Sequence, residues 1–351
     1  MRPPPRRPRR HRRHRRPQRR ARRGAALLVA MLVLTLVATL AAGMVWQQSR
    51  AIAVEQAERT RAQAGWILTG ALDLGRVLLR LDARNPGVDH LDEVWATPLA
   101  EASLSSMLAQ DREHNAGDAP EAFLSGAIRD AQGRYNLRNL VDPASLKLIP
   151  AELESLGRLC EMAAVPPETA RSIAAGLRAA LRAQKSDDAR SDGQAGSGAD
   201  ALDDAGPRGD GGDAPLLPQS IEQLAWLGLD AATVQRLRPY VELLPKPTPL
   251  NINTASAEVL AGVIPGLDLA SAKRLAARRP YKTLADAAAE LKAEHALDPK
   301  RLSVGSSHFV ISGRLRMQGR VIEERMLVQR NNRVVTPLAR WRAQVPAAAS
   351  P

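Results

Sequence analysis

The chain has 351 residues, enough for one large domain or two small ones, and carries a formal net charge of +13. All of that excess lies in residues 1–23, which hold 13 arginines and no acidic residue, so the remaining 37 basic residues balance 37 acidic ones. This distribution excludes a strongly basic nucleic-acid-binding body, and an aromatic content of 3% is too low for the stacking platforms that bind single strands.

An uncharged stretch of 22 residues, 25–46, follows the basic leader. As a helix it would span roughly 33 Å, about the thickness of a bilayer core. Trp46 and the polar residues after it mark the outer interface, and the arginines on the other flank place the N-terminus in the cytoplasm. We therefore predict a single-pass protein whose body is exported.

A cleaved secretory signal is the main alternative to a permanent anchor. The apolar core of such a signal has roughly 7–15 residues and ends at a small-x-small cleavage site. Here the apolar run is longer, and the matching site at residues 51–53 lies beyond the polar residues 47–50. The pattern therefore favours an anchor.

The junction Arg-Arg-Gly at residues 22–24 resembles the processing site of type IV pilin-like proteins. In that family a membrane peptidase cuts after the glycine, on the cytoplasmic side, and the hydrophobic helix stays on the protein. The resemblance implies a cut between Gly24 and Ala25. Most pilins carry a glutamate five residues after the cut, where this chain has Val29. Its absence is typical of the largest minor pseudopilin of type II secretion, called K.

Residues 47–84 contain no proline, and their apolar residues recur at ragged helical spacing. This pattern predicts that the helix continues beyond the membrane. Asn85, Pro86 and Gly87 would end it.

Residues 122–143 predict a β-hairpin, because side chains alternate up to a turn signal at 130–133 and residues 134–141 read as a return strand. The stretch resembles the D-x-x-G-R-(aromatic)-N-L-x-N-L pattern of the protein K family, in which its role is structural. The matching residues are Asp130, Gly133, Arg134, Tyr135, Asn136, Leu137, Asn139 and Leu140.

From residue 143 to about 302 the apolar spacing predicts helices. The candidates are 144–162, 167–184, 218–227, 230–239, 254–263, 269–278 and 283–294. An aspartate- and glycine-rich stretch, 185–213, predicts a flexible acidic loop.

Calcium binding is a second interpretation of this acidic loop, because carboxylates are hard oxygen ligands and the protein K family is known for calcium in its helical domain. The candidate ligands are Asp187, Asp188, Asp200, Asp203 and Asp204. The family's usual W-x-D-x-D run is missing here, and no EF-hand spacing appears.

Residues 306–336 alternate again and predict strands at 308–316 and 320–330, with a third at 334–335. Since β structure stands on both sides of the helical region, and each part alone has too few strands, we predict one interrupted sheet. The predicted class is α+β: a pilin-like long N-terminal helix packed on an antiparallel sheet, with a large all-helical domain inserted between strands.

Residues 249–291 also resemble the helix-hairpin-helix of exported competence DNA receptors, and Asn251, Asn253 and Thr254 match both families. In those receptors, backbone N–H groups and a helix N-terminus bind phosphate. Here Asp268 follows the Pro-Gly-Leu turn, where its carboxylate would repel phosphate and cap the next helix. We interpret Thr254 and Asp268 as N-caps of a packing module and expect no nucleic-acid partner. A membrane-anchored DNA-binding protein is the alternative.

The combined resemblance to minor pseudopilin K implies a protein that is not an enzyme. It would be the substrate of prepilin peptidase, which also methylates the new Ala25 amine in the family. The implied partners are minor pseudopilins I and J, the peptidase and the inner-membrane secretion platform. The implied role is to initiate and cap a pseudopilus that exports folded proteins across the outer membrane. The chain would lie in the bacterial inner membrane, with its bulk in the periplasm.

The implied domain organisation follows the chain in six parts. These are a cleaved basic leader (1–24), the transmembrane part of the helix (25–46), the pilin-like helix and first strands (47–142), the inserted helical domain (143–302), the final strands (303–336) and a tail (337–351).

Overall fold

The computed structural model describes residues 22–84, 87–109, 122–191, 215–291, 297–317 and 319–343. The chain divides into two units, one ending at Gln63 and the other beginning at Ala64. The α-helices are α1 (Arg22–Asp82), α2 (Leu104–Ala109), α3 (Pro150–Met162), α4 (Glu168–Ser191), α5 (Ala231–Leu237), α6 (Ala257–Val263), α7 (Leu269–Ala277) and α8 (Leu284–Glu290). The strands are β1 (Leu99–Ser103), β2 (Ala122–Asp130), β3 (Tyr135–Asn136), β4 (Val241–Glu242), β5 (Leu250–Asn251), β6 (Leu302–Ser303), β7 (His308–Met317), β8 (Arg320–Asn331) and β9 (Val334–Ala343).

In the first unit the described residues form a single element, the part of α1 up to Gln63. Its side chains from Ala25 onward are almost all exposed, including the large apolar ones of residues 27–46. The hydroxyls of Thr35 and Thr39 donate hydrogen bonds to the carbonyls of Leu32 and Leu36, at 2.9 and 2.8 Å. Each hydroxyl is thus satisfied within the helix, as an apolar solvent requires.

In the second unit, the C-terminal part of α1 packs on a five-stranded sheet of order β1-β2-β7-β8-β9, in which every neighbouring pair is antiparallel. Ala64, Leu68, Leu72 and Leu79 recur at helical spacing and are buried against the sheet. A Cβ at Gly75 would stand 2.6 Å from Ile311, so the glycine permits the close approach of helix and strand. The predicted α+β class, with a long helix on an antiparallel sheet, is confirmed.

The last strand is longer than the sequence predicted. Only Val334 and Val335 were assigned to it, whereas β9 continues to Ala343 and includes part of the predicted tail. Val328 pairs with Pro337 but Leu327 pairs with Ala339, which leaves Leu338 as the extra residue of a bulge. Proline and the bulge interrupt the alternation by which a strand is recognised.

Residues 131–307 lie between β2 and β7 and contain α3 to α8. Their largest apolar cluster is built around fully buried residues such as Leu159, Ile173, Leu177 and Leu260. The region is not all-helical, because two short parallel ladders cross it. One pairs β3 with β4 and the other pairs β5 with β6.

The predicted hairpin is not formed. β2 pairs with β1 and β7, while residues 131–133 and 137–140 are 3₁₀ helices. The intended return strand contributes only β3, which pairs with β4 about a hundred residues later. Side chains decide the outcome: Asp130 accepts a hydrogen bond from the N–H of Gln132, and Asn136 accepts one from the N–H of Arg138. These local bonds compete with a strand ladder.

Candidate functional site

One helix among the described residues is long and apolar enough to cross a membrane, with a mean hydropathy of 2.6 over its most apolar window. Gly24 and Ala25 lie in this helix, α1, and Val29 is exposed on it. The structure thus places the predicted processing residues and Val29 at the start of a continuous apolar helix.

An exposed apolar stripe continues along α1 in the second unit. Trp66, Leu74, Val77 and Leu81 are 79%, 53%, 40% and 44% exposed. Their spacing places them on one helix face, away from the buried residues that contact the sheet. We call these four residues the α1 stripe. Single exposed apolar residues are common, but a row of four on one face is typical of a surface that packs against another helix.

The motif residue Asp130 ends β2 and lies at the centre of a buried polar cluster, which we call the Asp130 junction. Its Oδ2 accepts hydrogen bonds from the hydroxyls of Thr254 and Ser306, both at 2.6 Å, and lies 3.0 Å from the Asn251 amide nitrogen. Burial raises the pKa of Asp130 above its ordinary 3.8, and these hydrogen bonds oppose that shift. The junction therefore joins the sheet, through β2 and the residues before β7, to the inserted region.

Thr254 was predicted to cap the following helix, and this is wrong. Ser256 is the N-cap of α6 and accepts a hydrogen bond from the N–H of Val259. Thr254 instead contacts the Asp130 junction and packs against Gly133, where a Cβ would stand 2.9 Å from the Thr254 hydroxyl. Gly133 belongs to the first sequence motif and Thr254 to the second, so the two motifs are in contact in the folded chain.

The remaining motif residues hold the start of the inserted region in position. Asn136 accepts a hydrogen bond from the N–H of Leu244 and donates to the carbonyl of Lys246. Asn139 makes a reciprocal pair with the backbone of Thr248, at 2.9 and 3.0 Å. Tyr135, Leu137 and Leu140 are buried in the main apolar cluster. These contacts are internal to the fold, and the motif does not take the predicted hairpin shape.

Gln132 also bridges the inserted region and the start of β7, and this role was not predicted from the sequence. Its side-chain oxygen accepts hydrogen bonds from the N–H groups of Ser307 and His308, at 2.7 and 3.2 Å, and its amide donates to the carbonyl of Pro249. It stands at a variable position of the motif, so no local pattern marks it. Burial lowers the pKa of the neighbouring His308 below 6.5, which keeps that imidazole neutral at pH 7.

The helix-hairpin-helix region is a packing module in the structure. Asn253 bonds the backbone N–H and carbonyl of Tyr281, at 2.9 and 3.0 Å. Asp268 is the N-cap of α7 and accepts a hydrogen bond from the N–H of Ser271 at 2.7 Å, which lowers the pKa of that carboxyl. A charged carboxylate therefore stands at the helix N-terminus where a phosphate would approach.

The five aspartates proposed as calcium ligands are not brought together among the described residues. Asp187 and Asp188 are exposed near the end of α4, whereas Asp200, Asp203 and Asp204 lie outside the described ranges. Successive helical residues point about 100° apart, so Asp187 and Asp188 leave the helix in different directions. Residues 185–191, which were predicted to begin the acidic loop, are helical, and the rest of the predicted loop lies outside the described ranges.

A different carboxylate group appears in the second unit, at the end of α1. Oxygen atoms of Asp82, Asp89 and Glu93 lie within 4.8 Å of one another. Arg330 forms ion pairs with both Asp82 and Asp89, and it stacks on Phe309 with its guanidinium 4.7 Å from the ring centre. Burial raises the pKa of Asp82 and of Glu93. Arg330 thus already pairs with two of the three carboxylates that a metal ion would need.

Known proteins resemble most of this chain. Residues 133–246 and 250–312 match the family described as Type II secretion system (T2SS), protein K. Type II secretion system protein K of Pseudomonas aeruginosa is 30% identical over 261 residues, covering 68% of this chain and 67% of that protein. The protein of the same name from Klebsiella pneumoniae is 29% identical over 325 residues, covering 88% and 93%.

A solved structure shares the fold. It is a chain of the GspK-GspI-GspJ complex from the enterotoxigenic Escherichia coli type 2 secretion system, with a TM-score of 0.57 and 20% identity, covering 83% of this chain and 99% of that one. A long helix on an antiparallel sheet, with further helices inserted, defines the class of protein by its fold, which is pilin-like. Within that class, the chain belongs to the protein K family of the type II secretion system.

Proposed function

We propose that this protein is the minor pseudopilin at the tip of a type II secretion pseudopilus, where it initiates and caps assembly for the export of folded proteins. The observation that carries the proposal is one chain that combines an apolar N-terminal helix with the inserted fold of the protein K family. Such a protein acts by assembly and performs no catalysis.

The N-terminal helix supports membrane insertion and processing. The 13 arginines before Gly24 would hold the leader in the cytoplasm, and the exposed apolar residues after it would lie in the inner membrane. We infer that prepilin peptidase cuts between Gly24 and Ala25 and methylates the Ala25 amine. The secretion platform would then receive the mature helix, with the second unit in the periplasm.

Val29 supports a place at the tip. A glutamate here would need a cationic partner in the membrane, since an unpaired carboxylate in lipid is costly. A subunit with Val29 therefore needs no cationic group from a neighbouring subunit above it. The size of the inserted region points the same way, because residues 131–307 would obstruct a further subunit stacked on this one.

The α1 stripe supports the proposal that helices of other subunits pack against this protein. The related structure is that of a GspK-GspI-GspJ complex. We propose that the equivalent minor pseudopilins I and J of this organism cover Trp66, Leu74, Val77 and Leu81. Non-closing contacts between such subunits generate a helical filament, which this protein would start.

Processing is tested by Gly24→Ala in cells that carry the secretion system. We expect the leader to stay attached and secretion to stop, as seen by gel mobility and by N-terminal sequencing of the membrane-bound chain. Gly43→Ala is the matched control, because it makes the same change in the same helix where a Cβ meets nothing within 4 Å. A Gly24→Ala chain of mature size that begins at Ala25 would refute the proposed cut.

A further inference from the structure

Four arginines converge on the face of the sheet that lies opposite α1, where this face adjoins the inserted region. Arg129 lies on β2, Arg325 on β8, Arg134 after the first 3₁₀ helix of the insertion and Arg238 at the end of α5. Strand register places Arg129 and Arg325 on one face, since Arg325 pairs with Ser312, which in turn pairs with Ala127. The other face carries the core residues that contact α1.

The charges in this group do not balance. Arg238 pairs with Glu222 at 3.2 Å, and Arg325 pairs with Glu323 at 2.5 Å. Glu242 serves two arginines through the same oxygen, which lies 2.5 Å from Arg129 and 4.0 Å from Arg134. Four guanidinium groups thus share three carboxylates.

Arg134 is the group left over. Its guanidinium donates no hydrogen bond to any residue in the described ranges, and its nearest carboxylate oxygen is the one already bonded to Arg129. The Arg134 side chain is only 25% exposed. This burial, followed by the positive charge of Arg129, lowers the pKa of Arg134 to about 10. Arg134 is therefore still a cation at pH 7, partly desolvated, and its remaining hydrogen bonds are left to water or to an incoming anion.

We propose that Arg134, together with Arg129, forms a docking site for a carboxylate side chain of an acidic segment on another protein. The planar fork of a guanidinium matches a carboxylate through two parallel hydrogen bonds. Glu242 remains beside the site and repels a dianion more than a monoanion, which favours carboxylate over phosphate. Because the site is partly open to water, a free carboxylate gains little there, whereas one fixed on a protein surface is held by further contacts.

The test uses a chain that begins at Ala25, purified in detergent, because the 13 arginines of the leader would bind an acidic probe by themselves. The probe is a fluorescent peptide of six glutamates, with binding followed by anisotropy. We expect saturable binding that weakens about tenfold or more in Arg134→Gln, the loss of one charge-assisted pair. Arg171→Gln is the matched control, since Arg171 is exposed on α4 away from the group, and it should bind as the wild type does. Glu242→Gln should bind more tightly, because the competing carboxylate is gone.

Equal binding by Arg134→Gln and Arg171→Gln would overturn the site, and so would the absence of saturable binding by the wild type. Weaker binding by Glu242→Gln would also overturn it, and this variant keeps Arg134 in place should Arg134→Gln lose the fold. In a competition arm, phosphate that displaces the peptide more effectively than acetate would overturn the assignment to a carboxylate. The processing test at Gly24 is independent of every one of these outcomes.

Discussion

Gly133 shows how a motif residue can be required for packing without any role in catalysis. The chain leaves β2 and passes Thr254 so closely that a Cβ on Gly133 would stand 2.9 Å from its hydroxyl oxygen and 3.1 Å from its carbonyl oxygen. The same threonine donates to Asp130, so it cannot withdraw without breaking the Asp130 junction. The glycine is required by a contact between two motifs that are far apart in sequence.

We therefore expect Gly133→Ala to lower the free energy of unfolding by about 1–3 kcal/mol, the usual cost of overpacking. Thermal unfolding of the purified protein, followed by circular dichroism, measures the change. Gly157→Ala is the control, because a Cβ there meets nothing within 4 Å and alanine favours the helix α3 by roughly 0.5–1 kcal/mol. Equal unfolding temperatures for the two variants would contradict the proposed crowding.

At the scale of elements, the α1 stripe carries a prediction about assembly. Leu74→Gln should weaken co-purification of the chain with pseudopilins I and J about tenfold, because burying a leucine contributes roughly 1.5–3 kcal/mol. Leu74 is half exposed and outside the core, so the fold should persist. Arg80→Gln introduces the same residue at another exposed position of α1 and should leave co-purification unchanged. Full recovery of both partners with Leu74→Gln would remove the stripe from the interface.

Local patterns predicted the elements whose partners are near in sequence. The strands β7 and β8 are adjacent in sequence, and Asp268 marks the start of α7 as its N-cap. All three elements were therefore predicted. β3 was extended wrongly, because its partner Val241 lies about a hundred residues away and no alternation reveals a parallel ladder of two residues. No alternation of side chains marks β1, so this strand was not predicted. The Asp130 junction could not be predicted either, because Gln132 and Ser306 meet their hydrogen-bond partners only in the folded chain.

At the scale of the whole molecule, charge distribution predicts no affinity for DNA. A chain cut before Ala25, as we propose, would have balanced charges, and Asp268 stands where a hairpin would bind phosphate. We expect no saturable binding of a labelled duplex at physiological salt. The Gly24→Ala chain is the control, because a retained leader should bind DNA in a strongly salt-dependent way. Submicromolar binding by the mature chain would instead support the competence-receptor alternative.

The positions at which the inserted region leaves and rejoins the sheet have a further consequence. β2 ends at Asp130 and β7 begins at His308, and Asp130 and Phe309 face each other in the strand register. Neighbouring strands stand about 5 Å apart, so the sheet would accept a tight turn in place of everything between them. The inserted region could thus be shortened or replaced without shifting the pairing of β2 with β7. This end of the sheet is therefore a position at which a foreign domain could be grafted onto the scaffold.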